Sequence, residues 1–456
     1  MRKESYDLTQ GGIVSKILVV AVPVMGSQLL QMSYNLTDLF WLGRLSSGAV
    51  AASGTVGLFM WLSMALLMFG RMGAEIGVSQ NTGRGDMESA RKFGENAFMI
   101  AVALGLIYGA VMFLLRRQLV GFFNLPEKET VRQAEEYLSI VGIGIPFTFA
   151  TSAIIGSFTG SGNSRAPFIA NLVGLGINML LDPLLIFTAD MGVIGAAIAT
   201  VIAQMFCFLV MAAMSLKSKH RPFAKFSFFT KPDFAVTRQI VKWASPIALE
   251  SAFFTLMSML ASRLISPFGD DVIAVGRVGS QIESLSWLLA GGYGSALTSY
   301  MGQNFGAKKW GRIRRGFNIS LLVMGIWGVA VTLFMVFFGG GAFAVFLSGE
   351  SVRTLGVLYL RILAVCQIPQ CFEAVAGAAF RGCGNTAPSS ITSIASNVVR
   401  VILAYALVGA YGFTGVWVAI CVSAFLRGAV TTGLYLAKSR HNPKEDMDCA
   451  LPRTNI

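Results

Sequence analysis

Two acidic residues stand where a charge is expensive. Asp38 lies in SYNLTDLFWLG (33–43) and Asp182 in GLGINMLLDPLLIF (174–187), each within an apolar run long enough to cross a bilayer. A carboxylate at mid-membrane costs about 2.5–3.5 kcal/mol on insertion scales, which marks such a residue as functional by default. Asn178 precedes Asp182 by four residues, on the same helical face. Pro183 has no N–H and its ring clashes with the carbonyl four residues back, so the Met179 carbonyl is expected to be free for another partner. Tyr34 and Asn35 stand one turn before Asp38, and Thr200 offers a hydroxyl from the next apolar run. Oxygen donors of this kind suit a hard cation. Two adjacent carboxylates can equally share one proton, because both do not ionise cheaply together. Asp38, Asp182, Asn178, Thr200, Tyr34, Asn35 and the Met179 carbonyl could thus surround one candidate cation site taking Na⁺ or H⁺, with Asp38, Asn178 and Asp182 as metal ligands if the ion is Na⁺. The plainer alternative is two independent aspartates, each snorkelling near its own helix end.

Other groups are candidates for a substrate cavity. Glu250, Glu283, Glu373, Arg361 and Arg400 fall in apolar runs of the second half, and Glu250, Glu283 and Arg400 lie near mid-depth by residue counting. They suggest a charge-neutralised cluster, either structural or in contact with substrate. Met60, Met64, Met68 and Met72 recur every fourth residue, and flexible thioethers suit either adaptable binding or helix packing. With Gln281 from the same half, the candidate cavity set is Tyr34, Asn35, Met64, Met68, Glu250, Gln281, Glu283, Glu373 and Arg400. Phe40, Trp41 and Trp61 could stack on flat or cationic molecules alongside Tyr34.

The elements that must hold these groups are transmembrane helices. Of 456 residues, 54% are hydrophobic and only 13% charged, about half the charged share of a soluble domain. Applying the length of helix needed to span hydrocarbon, about 20 residues, gives twelve spans: 14–43, 49–78, 92–115, 129–157, 165–188 and 192–216, then 238–266, 272–303, 313–337, 353–380, 387–408 and 412–437. Asp38 is five residues before Gly43 and Asp182 six before Thr188, which sets both roughly 8–9 Å from the same membrane face. The two acids can thus share one site.

The expected fold is an all-α polytopic membrane protein of two pseudo-symmetric six-helix bundles. Residues 1–13 form an N-terminal segment, 14–216 one lobe, 217–237 a linker, 238–438 the second lobe and 439–456 a C-terminal segment. The halves repeat: Pro23 matches Pro246 and Gln80-Asn81 matches Gln303-Asn304 at an offset of 223. Gly160-Ser-Gly-Asn163 then matches Gly382-Cys-Gly-Asn385 after a one-residue slip. Parallel repeats place a substrate site between lobes that can rock.

The net charge of +13 is distributed in short blocks, such as the linker and the loops at 81–92 and 304–315. That pattern follows the positive-inside rule and places both termini in the cytoplasm of a cell-membrane protein; nucleic acid is not an expected partner. Six scattered cysteines form no CxxC pair, and the two histidines, His220 and His441, lie in polar segments. A histidine-based centre within the membrane is excluded, and no removable signal peptide is expected.

Together, the late Asp38, the Asn178-x-x-x-Asp182 pair, FTGSGNSRAP (158–167), FRGCGNTAP (380–388) and GSQIESLSW with GQNFGAKKWGR (279–312) resemble the multidrug and toxic compound extrusion (MATE) transporters over nearly the whole chain. The resemblance implies export of organic, often cationic, compounds in exchange for Na⁺ or H⁺, without a cofactor and as a monomer. It carries Asp38, Asn178, Asp182 and Thr200 onto the family's N-lobe cation positions. Glu250 and Glu373 lie in the spans where some members hold C-lobe acids. Two other readings share parts of the pattern. A lipid-linked oligosaccharide flippase of the same superfamily would want a cationic cavity, for which Arg263, Arg277, Arg361 and Arg400 are available. A major-facilitator carrier would want a D-R-x-G-R-R-type run where this chain has NTGRGDMESARK. An enzyme is not expected, since no nucleophile–base pair, HExxH or phosphate-binding glycine loop appears.

Overall fold

The computed structural model describes residues 7–123, 127–218, 223, 226–228, 230–346 and 349–440. Cys449, His220, His441 and most of the basic linker residues lie outside these, as do the chain ends at 1–6 and 441–456. All regular structure among the described residues is helical: α1 (Ile13–Leu45), α2 (Ser47–Arg84), α3 (Met87–Leu114), the short α4 (Arg116–Gly121), α5 (Lys128–Gly160), α6 (Arg165–Pro183), α7 (Gly192–Lys217), α8 (Phe234–Ile265), α9 (Asp270–Gly306), α10 (Trp310–Phe346), α11 (Glu350–Ala364), α12 (Gln367–Gly382), α13 (Ala387–Tyr411) and α14 (Phe413–Arg440).

Ten of these are long and apolar enough to cross a membrane alone, and α11 with α12 makes one further span, bent by 45° at its break. Pro369 sits just past that break and has no N–H to offer the Val365 carbonyl, which accounts for the kink. α9, 37 residues long, is less apolar than these, and counting it brings the total to the twelve expected. Several helices outrun their apolar cores. The seventh span begins at Phe234 rather than 238, because Asp233 caps it: its Oδ1 accepts from the Ala235 and Val236 amides at 2.9 and 3.3 Å.

The repeated Gly-x-Gly-Asn segments are helix terminators with a second duty. Gly162 and Gly384 take φ of +89° and +75°, the left-handed conformation that favours glycine. The amides of Asn163 and Asn385 then bond back to the Phe158 and Phe380 carbonyls at 2.9 and 3.0 Å, closing both helices alike. The first glycine of each segment serves the opposite lobe. Gln80 Nε2 donates to the Gly382 carbonyl at 2.9 Å, and Gln303 Nε2 donates to the Gly160 carbonyl at 3.1 Å.

These reciprocal bonds belong to a seam formed by α2 and α9. Residues 72–81 and 292–306 are buried on every side. A Cβ on Gly83 would meet the Gln303 carbonyl oxygen at 1.9 Å, and one on Gly306 would meet that of Gln80 at 1.8 Å. The lobes therefore touch backbone to backbone at the end carrying the linker and the α2–α3 and α9–α10 loops, here termed the closed end. Toward the other end Phe40, Trp61, Met64, Phe254 and Trp287 are exposed. The unbroken burial of α2 and α9 along the seam does not continue there.

Segments leading into each half dock across the seam. Leu8, fully buried, donates its amide to Gln303 Oε1 at 3.0 Å and accepts from Asn304 Nδ2 at 3.2 Å, while Arg312 Nη1 donates to the Gly11 carbonyl at 2.9 Å. The linker docks on the first half instead. The Ser227 amide donates to Glu95 Oε1 at 2.9 Å, the Asp233 amide to Asn96 Oδ1 at 2.8 Å, and Phe223 stacks on Phe158 at 4.1 Å.

Candidate functional site

The first lobe brings the two aspartates together. Along α1, Tyr34, Asp38 and Trp41 fall at i, i+4 and i+7 on one face, which packs toward α6 and α7. α6 ends at Pro183, and its continuation Leu184–Thr188 widens into a π turn, as expected when a proline removes a helical donor. Asn178 and Asp182 are both fully buried, and Asn178 Nδ2 donates to Asp182 Oδ1 at 3.0 Å. Asp38 lies within electrostatic reach of Asp182, and the Tyr34 hydroxyl is close to both acids and to Thr200.

The oxygens are poorly satisfied by the protein itself. Asp38 Oδ1, Asp182 Oδ2, Asn178 Oδ1, Thr200 Oγ1 and the Tyr34 hydroxyl are buried without a hydrogen-bond partner. Tyr34 and Thr200 approach one another without achieving hydrogen-bond geometry. A buried polar atom left unpaired normally costs about 1–3 kcal/mol, and oxygens of this kind beside two carboxylates would suit a shared positive partner. Among the described residues no group of three or more His, Cys, Asp or Glu could hold a metal. An ion here would be held by two carboxylates and neutral oxygens, a set fitting Na⁺ or a proton rather than a transition metal.

Sequence reasoning missed one member. Tyr137, on α5, is 7% exposed and sits against Asp38, Asp182, Tyr34 and Thr200. Asn35 does not share this buried pocket. Asn35 is exposed, since one residue along a helix turns its side chain about 100° from Tyr34. The methionines do not form one surface either. Met60 and Met68 pack on the first lobe's core, Met64 is 51% exposed and Met72 is buried at the seam with Trp243. A spacing of four drifts about 40° per step around a helix.

The second lobe's charges divide into two linked clusters. Glu250 Oε2 accepts from Ser390 Oγ at 2.8 Å and lies in the field of Glu373, which pairs with Arg427 at 3.7 Å. Glu283 accepts from Gln367 and Gln370 at 3.2 and 3.4 Å, both carried inward by the bend between α11 and α12, and faces Arg400 and Arg427. Arg400 is buried, donates from Nε to Ser423 Oγ at 3.0 Å and rests over the Phe254 ring. Arg427 was not among the candidates. Arg361, Arg263, Arg277 and Gln281 are exposed, whereas Arg400 is buried.

Comparison with known proteins agrees with this architecture. A family model described as MatE matches residues 23–184 and 246–406, once in each half, starting at the paired prolines. The probable multidrug resistance protein NorM of Thermotoga maritima is 26% identical over 437 residues, covering 93% of this chain and 92% of that protein. The probable multidrug resistance protein YpnP of Bacillus subtilis is 27% identical, covering 79% and 80%, and the multidrug export protein MepA of Staphylococcus aureus is 20% identical, covering 96% and 97%. Among solved structures, a MATE in a bent conformation superposes with a TM-score of 0.90 at 22% identity, covering 96% of this chain and 98% of its own. An outward-facing multidrug resistance MATE family transporter superposes with a TM-score of 0.87 at 22% identity, covering 96% and 99%. Matched in both halves, the chain belongs to the MatE family and is a multi-pass membrane transporter, not an enzyme.

Proposed function

We propose that the chain exports organic, cationic compounds across the cell membrane in exchange for H⁺ or Na⁺, working as a monomer by alternating access. The observation that carries this reading is the convergence of Asp38 and Asp182 with the unpartnered oxygens of Tyr34, Asn178 and Thr200 in one buried pocket. The names of NorM, YpnP and MepA support a multidrug substrate range. The closed end carries Arg84, Arg91, Lys92, Lys308, Lys309, Arg312, Arg314 and Arg315, and basic loops favour the cytoplasm. On that orientation the termini are cytoplasmic, the lobes are residues 14–216 and 238–438, and a cleft between them opens outward.

In this mechanism the coupling cation enters from outside and neutralises the paired acids. Its arrival alters the packing of α1, which Pro23 allows to bend, and drug leaves the cleft. Return to the inward state releases the cation. Drug and cation must each weaken the other's binding, by reciprocity of linked equilibria. Asp38→Asn and Asp182→Asn should each abolish gradient-driven uptake of a cationic dye into everted vesicles while the protein remains folded. Undiminished uptake in Asp38→Asn would overturn the assignment. Collapsing the Na⁺ and pH gradients separately names the ion.

A further inference from the structure

The seam between the lobes holds an acid that the cation pocket does not use. Glu75, on α2, is fully buried, and its Oε1 accepts from Ser295 Oγ on α9 at 2.9 Å. Its Oε2 has no partner. Arg71, one turn earlier on the same helix, and Arg381, on α12 of the opposite lobe, are the two cations whose fields reach it. Arg381 also reaches Glu250 on α8. Arg381 thus lies within electrostatic reach of an acid from each lobe, without an ion-pair contact to either.

We propose that Glu75 is the positioning residue of a latch, closed across the seam by its hydrogen bond from Ser295 and reinforced by the nearby charge of Arg381, and that Glu250 competes with it for that charge. The inference rests on the alternating-access reading, though not on the cation pocket. Two of the partners that compensate the buried Glu75 carboxylate come from the other lobe. Separating the lobes at the closed end removes both at once and leaves only Arg71. Interior charges stripped of partners are strongly destabilising, so the latch favours the state seen here. When the lobes part, Arg381 stays with Glu250, because both belong to the second lobe.

The test uses spin labels at Glu88→Cys and Gly311→Cys, equivalent positions beside the α2–α3 and α9–α10 loops, in a Cys449→Ser background. The other five cysteines are buried. Distances are read in lipid nanodiscs without substrate, so failure of the Asp38 assignment would leave this result untouched. The short-distance population should dominate in the parent. Glu75→Gln keeps an acceptor for Ser295 but loses the charge, and should shift the ratio of short to long by about tenfold, the worth of a charged hydrogen bond. Arg381→Gln should do likewise, and the double variant should be no worse than either alone. Glu250→Gln leaves Arg381 to Glu75 and should preserve or enlarge the short population. A Glu75→Gln distribution matching the parent, or full additivity in the double variant, would overturn the latch. If Glu75→Gln does not fold, Ser295→Ala carries the same reading: a longer mean distance supports the latch and an unchanged one refutes it.

Discussion

At the scale of single residues, the grouping proposed as a cation pocket was legible in the sequence because apolar surroundings make a carboxylate conspicuous. Asp38, Asn178, Asp182 and Thr200 each break a long apolar run, and spacing alone put the two acids at one depth. Tyr137 gave no such signal. It sits near the open-end start of α5, where an aromatic reads as an interfacial anchor, and only tertiary packing turns it toward the acids. Glu75 was different, since Arg71 and Glu75 form an i,i+4 charged pair inside an apolar span. If Thr200 Oγ1 ligates the cation, Thr200→Val keeps the shape and loses the oxygen. Dye efflux measured against cation concentration should then show an apparent affinity about tenfold weaker, with maximal rate nearly retained.

At the scale of elements, the sequence was most informative where one feature had one structural consequence. Pro183 ended α6 in a π turn, and the Gly-x-Gly-Asn repeats ended α5 and α12. It was least informative where a residue served two ends, as with Gly160 and Gly382, whose carbonyls reach the opposite lobe. Small residues permit this closeness: Gly156 and Gly160 let α5 lie on the α2 backbone at Arg71 and Glu75. Gly306 is the most exacting position. A methyl group there would lie 1.8 Å from a backbone carbonyl oxygen, which no side-chain rotation relieves. Gly306→Ala should therefore force α9 off α2. Ser299, fully buried in the seam, supplies the readout: in Ser299→Cys, a membrane-impermeant maleimide should label the Gly306→Ala protein and spare the parent.

At the scale of the molecule, the two lobes are held by more than their shared chain. Residues 8–11 clasp α9 and α10 of the second half, while Phe223, Ser227 and Asp233 clasp the first. Neither clasp depends on continuity of the linker. Fragments 1–218 and 219–456, expressed together, should copurify in a one-to-one ratio when only one carries a tag. Removing residues 1–12 from the first fragment should weaken that association. Recovery of the tagged fragment alone would show that the docked segments add little.

The reciprocal Gln80–Gly382 and Gln303–Gly160 bonds have an ancestral corollary. A patch that meets its own counterpart across a twofold axis is what an isologous homodimer presents. Each half already carries both sides of that contact, so a primordial six-helix protein could have dimerised through it before any fusion. Joining two gene copies then required a tether, not the invention of a new interface.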